Sequence, residues 1–98
     1  MRKLLILFII LIPNTSFSNE KFVNYLKEGK KIIFMRHALA PGTADPKNFN
    51  INDCSTQRNL NEEGRSQSKR IGNFFKNKNI RIDKVLSSEW CRCKDTAN

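Results

Sequence analysis

The chain has 98 residues, of which 39% are hydrophobic and 28% are charged, so its composition is that of a globular protein and excludes a disordered one. This length limits it to one small domain or part of one. The formal net charge of +9 indicates an anionic partner, and nucleic acid, a membrane surface or a phosphorylated small molecule would all fit. Because the basic residues are scattered along the chain, most of them are expected to be solvated surface charges.

Residues 1–18 have the pattern of a secretory signal peptide. Two basic residues precede the unbroken apolar run Leu4–Ile12, and Ser16 and Ser18 supply the small residues that a cleavage site needs. The run is too short to span a bilayer comfortably; a buried N-terminal helix and an uncleaved anchor are the alternatives. We therefore expect an exported, periplasmic protein that keeps no membrane anchor after cleavage, with residues 19–98 as its mature part.

The segment Asn19–Gly29 predicts a short amphipathic helix. Phe22, Val23 and Leu26 recur at helical spacing, and the first and last residues of the segment are suited to begin and end a helix. We expect its apolar face to belong to the core.

The apolar run Ile32–Met35 predicts a buried strand, because it is rich in β-branched and aromatic residues and is bounded by charge. Arg36 and His37, the only histidine in the chain, follow it at once. In open α/β sheets the carboxyl edge is where ligands bind, so this pair is a candidate site. On this segment alone, an ordinary polar strand exit is the alternative.

A long polar connection, Ala38–Thr56, comes next, and its Pro41-Gly42 and Asp45-Pro46 pairs are turn signals. A loop of this length is unusual in a compact domain unless it covers a site. The residues leave open whether it is a substrate-side loop or a flexible insertion.

The clearest helix lies within Gln57–Asn79. Asn61 is a suitable N-cap, and two glutamates after it complement the helix dipole. Ile71, Phe74 and Phe75 then define one apolar face.

Lys84–Leu86 predicts a second short strand, and Ser88 is a candidate N-cap for a last helical segment, Glu89–Asn98. Helix, strand, loop, helix, strand and helix in this order predict a βαβ unit of a parallel sheet, and therefore an α/β fold. So few elements bury too little surface to close a core. We expect an N-terminal fragment of a longer protein; the alternative is that Asn98 is the natural end.

Five landmarks now stand in a characteristic order and spacing. They are Arg36-His37, Leu60-Asn61-x-x-Gly64-x-x-Gln67, Ser87-Ser88, Arg92 and Thr96-Ala97. Together they resemble the histidine phosphatase superfamily, branch 1, whose members are phosphoglycerate-mutase-like phosphatases. The resemblance covers essentially the whole mature chain. It implies a three-layer fold with a mostly parallel sheet, of which only the N-terminal βαβ part would be present.

The resemblance further implies that His37 is a nucleophile that forms a phosphohistidine, while Arg36 and Arg92 bind the transferred phosphoryl group. The chemistry agrees, because a neutral imidazole can attack phosphorus and leave again. Guanidinium groups neutralise the phosphoryl oxygens, so we expect no metal and no cofactor. Arg92 would lie in the first turn of a helix; a salt-bridged surface arginine is the alternative. The expected activity is hydrolysis of small phosphomonoesters by an exported phosphatase.

The sequence departs from the family pattern at three positions, where Ala38, Asn61 and Ser68 replace glycine, threonine and alanine. Each replacement is conservative in size or capping role. The second pocket histidine and the general acid of the family are expected beyond Asn98 or are absent, so we expect these 98 residues alone to be inactive.

Three rival functions remain. One is a phospho-ligand-binding domain of the same fold that has lost turnover. Another is a sugar-phosphate mutase, which an export signal disfavours. The third is a nucleic-acid-binding module, but the chain has no basic face interleaved with aromatic residues.

Cys54, Cys91 and Cys93 are the three cysteines. An oxidising periplasm favours a disulfide, and a bridge from Cys54 to either of the others would tether the long loop to the segment that carries Arg92. Free or differently paired thiols are the alternative. Cys-x-Cys is too tight for the usual zinc spacing.

Overall fold

The computed structural model describes residues 17–98. Within them the chain forms three α-helices and one short 3₁₀ turn. In chain order these are α1 (Phe17–Lys27), the 3₁₀ turn (Cys54–Thr56), α2 (Glu62–Asn77) and α3 (Cys91–Ala97). The predicted signal peptide lies outside the described residues, apart from its last two, which belong to α1. The predicted boundary at residue 18 stays a prediction.

The predicted parallel sheet, and with it the α/β fold class, is wrong for the part of the chain that the structure describes. Residues 17–98 contain no strand, and their only β-pairing is an isolated bridge between Asn50 and Asp53. Both predicted strand segments, Ile32–Met35 and Lys84–Leu86, have no regular structure. A strand forms only as part of a hydrogen-bonded ladder, and neither segment pairs with a neighbour within residues 17–98.

The exposure of the apolar side chains in these two segments also argues against buried strands. Ile32 is 81% exposed, Phe34 91% and Leu86 80%, although the sequence pattern predicted a buried strand at Ile32–Met35. Apolar periodicity indicates which segments are suited to burial, but the covering partner is a tertiary property.

The helix prediction for the N-terminal segment is confirmed, with its start two residues earlier than expected. Val23 and Leu26 of α1 are buried, whereas Phe22 is half exposed. The helix ends at Lys27, and Gly29 then adopts a left-handed conformation with φ of 74°. Glycine adopts this conformation without steric cost, which explains why the helix ends there.

The prediction for α2 is confirmed in detail. Asn61 is its N-cap, and the Asn61 side-chain oxygen accepts a hydrogen bond of 2.8 Å from the backbone N–H of Gly64. Phe74 and Phe75 of α2 pack partly buried against a small core, which comprises Val23, Leu26 and Ile80. A second small cluster comprises Ala38, Ala40 and Leu60.

The last helix, α3, packs against α2 and begins later than predicted. Its N-cap is Trp90, which makes no side-chain capping bond, so the prediction that Ser88 caps it is wrong. None of the helices in residues 17–98 has the length and apolar character needed to cross a membrane.

A disulfide joins Cys54 to Cys91, with 5.7 Å between their Cα atoms. This is one of the two bridges that the sequence left open, and Cys93 is unbridged and half-buried. Gln57 strengthens the same junction, because its side-chain oxygen accepts a 2.9 Å hydrogen bond from the backbone N–H of Cys91. The end of the long loop is therefore anchored to α3.

Candidate active site

His37 is half-buried at the exit of the apolar segment Ile32–Met35. Its ring nitrogen Nδ1 lies 2.7 Å from the backbone carbonyl oxygen of Ala38. A carbonyl oxygen can only accept a hydrogen bond, so this contact assigns the ring proton to Nδ1. In the neutral ring the lone pair is then on Nε2.

The backbone that follows His37 is held by two side chains from the helices. The N–H of Ala38 donates to the Thr96 hydroxyl of α3 at 2.9 Å, and the N–H of Leu39 donates to the Gln67 side-chain oxygen of α2 at 3.0 Å. The Thr96 hydroxyl in turn donates to the carbonyl of Arg92 at 2.7 Å. Two of the sequence landmarks, Gln67 and Thr96, therefore support the backbone beside His37.

Gly64 lets α2 approach this backbone closely. A Cβ atom at Gly64 would overlap the carbonyl oxygen of Leu39, and Gly64 itself is buried. Any side chain here would force α2 away from the segment that it supports.

A cavity of about 470 Å³ opens beside His37. This volume is in the range of small-molecule sites. The charged and polar side chains that line it with His37 are two beside the loop, Arg36 and Arg58, and three on α2, Glu63, Gln67 and Arg70. The structure therefore brings together two of the three predicted site residues, His37 and Arg36.

Arg92, the third predicted site residue, does not line this cavity. Its Nη1 donates to Asp45 Oδ1 at 2.9 Å and to the carbonyl of Arg58 at 3.4 Å, and its guanidinium lies 4.5 Å from the centre of the Trp90 ring. The side chains of Arg92 and Asp45 are only 11% and 14% exposed. Arg92 is thus close to the site but is already paired.

Asp45 was interpreted from the sequence only as part of a turn, yet it joins the loop to two arginines. Its Oδ1 also accepts a 2.8 Å hydrogen bond from the backbone N–H of Arg58. Burial raises the pKa of Asp45, but the hydrogen bond from the Arg58 backbone and the positive charges of Arg92 and Arg58 outweigh it. The net result is a pKa below the ordinary value.

Arg58 is a cavity residue that the sequence analysis missed. Its Nη1 donates to the carbonyls of Ala40 at 2.6 Å and Gly42 at 3.0 Å. Its Nε, like that of Arg92, is buried and has no hydrogen-bond partner among the described residues. Nothing in the local pattern distinguishes Arg58 from the other scattered basic residues, because its contacts are with distant parts of the chain.

The long loop is attached to the rest of the chain at several points. Asp45 anchors it near its middle, and the disulfide anchors it at Cys54. Between these points, Phe49 stacks at a tilt on Trp90 with 4.8 Å between ring centres. Within residues 19–98, no group of three or more His, Cys, Asp or Glu side chains is arranged to hold a metal ion.

Comparison with known proteins adds one finding to this geometry. The family model described as histidine phosphatase superfamily (branch 1) matches residues 32–98, which is more than half of the chain. The match begins at the apolar segment before His37 and includes every residue of the site described above. No curated protein and no solved structure gives a match.

Proposed function

The chain belongs to the histidine phosphatase superfamily, and from this membership we propose that it is an exported phosphatase that hydrolyses phosphomonoesters through a phosphohistidine on His37. Membership itself indicates phosphatase or mutase-like activity. The single observation that carries the finer proposal is the 2.7 Å contact between His37 Nδ1 and the carbonyl oxygen of Ala38. With the ring proton on Nδ1, the lone pair on Nε2 of a neutral ring is the one that can attack phosphorus.

The reaction has two displacements. His37 Nε2 attacks phosphorus, a P–N bond forms, and the P–O bond to the alcohol breaks; the departing oxygen then takes a proton. Water next attacks the phosphohistidine, releases inorganic phosphate and restores the neutral imidazole. Dividing the hydrolysis in this way replaces one difficult step by two easier ones.

Arginines supply the charge that such a transfer needs. Arg36 lies in the cavity with His37, and Arg58 is held there by two backbone carbonyls. Guanidinium groups stay cationic at any working pH and match the geometry of phosphoryl oxygens. This arrangement supports a phosphoryl group seated at His37.

Arg92 is proposed as a further phosphoryl ligand, and its pairing sets a condition for that role. The Asp45 carboxylate occupies Arg92 Nη1, whereas Arg92 Nε has no partner among the described residues. A phosphoryl oxygen that binds at Nη1 would take the place of that carboxylate. Asp45 would then compete with the substrate for Arg92.

Export rests on two observations. The signal-peptide pattern of residues 1–18 is one. The other is the disulfide between Cys54 and Cys91, because disulfides persist mainly in oxidising compartments.

The test uses the protein expressed from its complete gene, with and without the substitution His37→Ala. Each protein is incubated with 4-nitrophenyl phosphate, without added metal, and nitrophenol release is measured. We expect turnover by the wild type and its loss in the variant, with circular dichroism as the control for folding. Turnover that survives in the variant would contradict the proposal.

The same assay separates the rival functions. A mutase would pass the phosphoryl group to a second alcohol in preference to water, so added alcohol would yield a new phosphomonoester at the expense of inorganic phosphate. A domain that only binds phospho-ligands would show binding of phenyl phosphate in calorimetry but would release no phosphate in the assay.

A further inference from the structure

The α2 helix presents one face to the cavity beside His37. Glu63, Gln67 and Arg70 are spaced four and three residues apart, which places them on the same side of a helix, and all three line the cavity. Gln67 holds this face of α2 toward the cavity, because its side-chain oxygen accepts a 3.0 Å hydrogen bond from the backbone N–H of Leu39. The close approach of Gly64 to the Leu39 backbone sets the distance between α2 and the segment that follows His37.

The charges around the cavity are unbalanced. Three guanidinium groups, those of Arg36, Arg58 and Arg70, face a single carboxylate, that of Glu63. Arg36 adjoins the proposed nucleophile, and Arg58 is held by the carbonyls of Ala40 and Gly42. The Arg70 guanidinium is the third of these cations, and its surroundings differ from those of the other two.

Arg70 is exposed and lines the cavity, and its side chain makes no hydrogen bond or ion pair with the residues that the structure describes. Glu63 lies two helical turns away, about 10 Å along the axis, and does not pair with it in this structure. The volume of about 470 Å³ also exceeds what a phosphoryl group alone would fill, so the part of the substrate beyond the ester oxygen would lie along α2.

We propose that Arg70 is a specificity residue that binds a second anionic group, a carboxylate or a phosphate, on the phosphomonoester substrate. This inference rests on the proposed function, because it takes His37 as the point where the scissile phosphoryl group is seated. Arg70 forms a charge-assisted hydrogen bond to the distal anion, and Glu63, two turns earlier on the same face, disfavours an anion at its own position. The substrate class is therefore a small phosphomonoester with a second negative group.

The test compares three aryl phosphates whose phenol leaving groups differ only in the substituent at the para position. They are phenyl phosphate, 4-carboxyphenyl phosphate and 1,4-phenylene bisphosphate, each followed by phosphate release from the protein expressed from its complete gene. Because Arg70 is exposed, its contact is expected to contribute modestly, and we expect about a fivefold preference in kcat/KM for an anionic substituent. The carboxylate and phosphate arms show which of the two anions is favoured.

Arg70→Gln should reduce this preference to near one, mainly through KM, and Arg70→Lys should restore part of it. Arg65→Gln is the matched control, because Arg65 is also exposed on α2 but does not line the cavity; its preference should equal that of the wild type. The inference is overturned if the wild type shows no preference, or if the preference survives in Arg70→Gln.

A second measurement separates this inference from the proposed function. Calorimetric titration of the same three compounds measures binding without turnover. An affinity difference that depends on Arg70, in a protein that hydrolyses none of them, would support the anion site and reject the phosphatase. Turnover of phenyl phosphate together with equal affinity for all three compounds would support the phosphatase and reject the anion site.

Discussion

The hydroxyl of Thr96 accepts a 2.9 Å hydrogen bond from the backbone N–H of Ala38, a residue 58 positions earlier in the chain. Ala38 is the residue directly after His37, and it is only 4% exposed. The same hydroxyl donates to the carbonyl of Arg92. One side chain of α3 therefore joins the backbone of the proposed nucleophile to that of the paired arginine.

Replacing Thr96 by valine should destabilise the protein and lower its activity. Valine keeps the shape but leaves the buried N–H of Ala38 without a partner, which costs about 1–3 kcal/mol. We expect a corresponding fall in the free energy of unfolding, measured in urea, together with a lower kcat. Thr96→Ser keeps the hydroxyl and should behave nearly as the wild type; equal effects of both substitutions would argue against the hydrogen bond.

Two glycines of α2 should respond to alanine in opposite directions. Gly64→Ala places a Cβ against the carbonyl of Leu39 and should strongly destabilise the protein, whereas Gly72 has no atom within 4 Å of such a Cβ. Gly72→Ala should therefore raise the free energy of unfolding by about 0.5–1 kcal/mol, because alanine has the higher helix propensity. Thermal unfolding of the two variants measures this, and a stable Gly64→Ala protein would contradict the close contact.

Asp45 should make the protein sensitive to acid. Its pKa is lowered in the folded protein, so the unfolded chain binds the proton more readily. The ionised carboxyl then contributes stability above its unfolded pKa, at about pH 4, and loses that contribution as the pH falls through the lower folded value. Asp45→Asn should flatten this part of the curve of stability against pH, measured by urea unfolding between pH 2 and about 7.

The same substitution tests the proposed exchange at Arg92. If the phosphoryl group must displace the Asp45 carboxylate, Asp45→Asn should lower the KM for 4-nitrophenyl phosphate severalfold even as it lowers stability. A raised KM would mean that Asp45 holds Arg92 in place and that substrate does not displace it.

The disulfide should contribute to stability and should keep the loop in place. Cross-linking two residues 37 positions apart removes conformational freedom from the unfolded chain and is typically associated with about 2–4 kcal/mol. Cys54→Ser should lower the melting temperature and abolish its response to reducing agent. Cys93→Ser is the control, because Cys93 is unbridged; if it had the same effect, the pairing described here would be wrong.

The local features were the ones that the sequence predicted well. The N-cap at Asn61 and the apolar face of α2 depend on neighbours within a few residues, so their pattern is readable. The juxtaposition of Arg36 and His37 in one cavity follows from adjacency in the chain. The family resemblance was also confirmed by the match over residues 32–98.

Features that depend on distant partners were not predicted. The run Ile32–Met35 has the composition of a strand, but no segment within residues 17–98 pairs with it. Arg58 and Arg70 looked like solvated charges, because only the folded chain brings them beside His37. Asp45 looked like a turn residue, and its pairing with Arg92 spans 47 positions.

The central claim is that His37 carries the phosphoryl group on Nε2. The most direct measurement is to quench the protein, expressed from its complete gene, during turnover of a phosphomonoester and to locate the phosphate by mass spectrometry and phosphorus NMR at alkaline pH. Our account predicts an acid-labile phosphohistidine at His37, attached through Nε2. Phosphate on another residue, or turnover without any phosphoenzyme in a protein whose His37→Ala variant stays active, would contradict it.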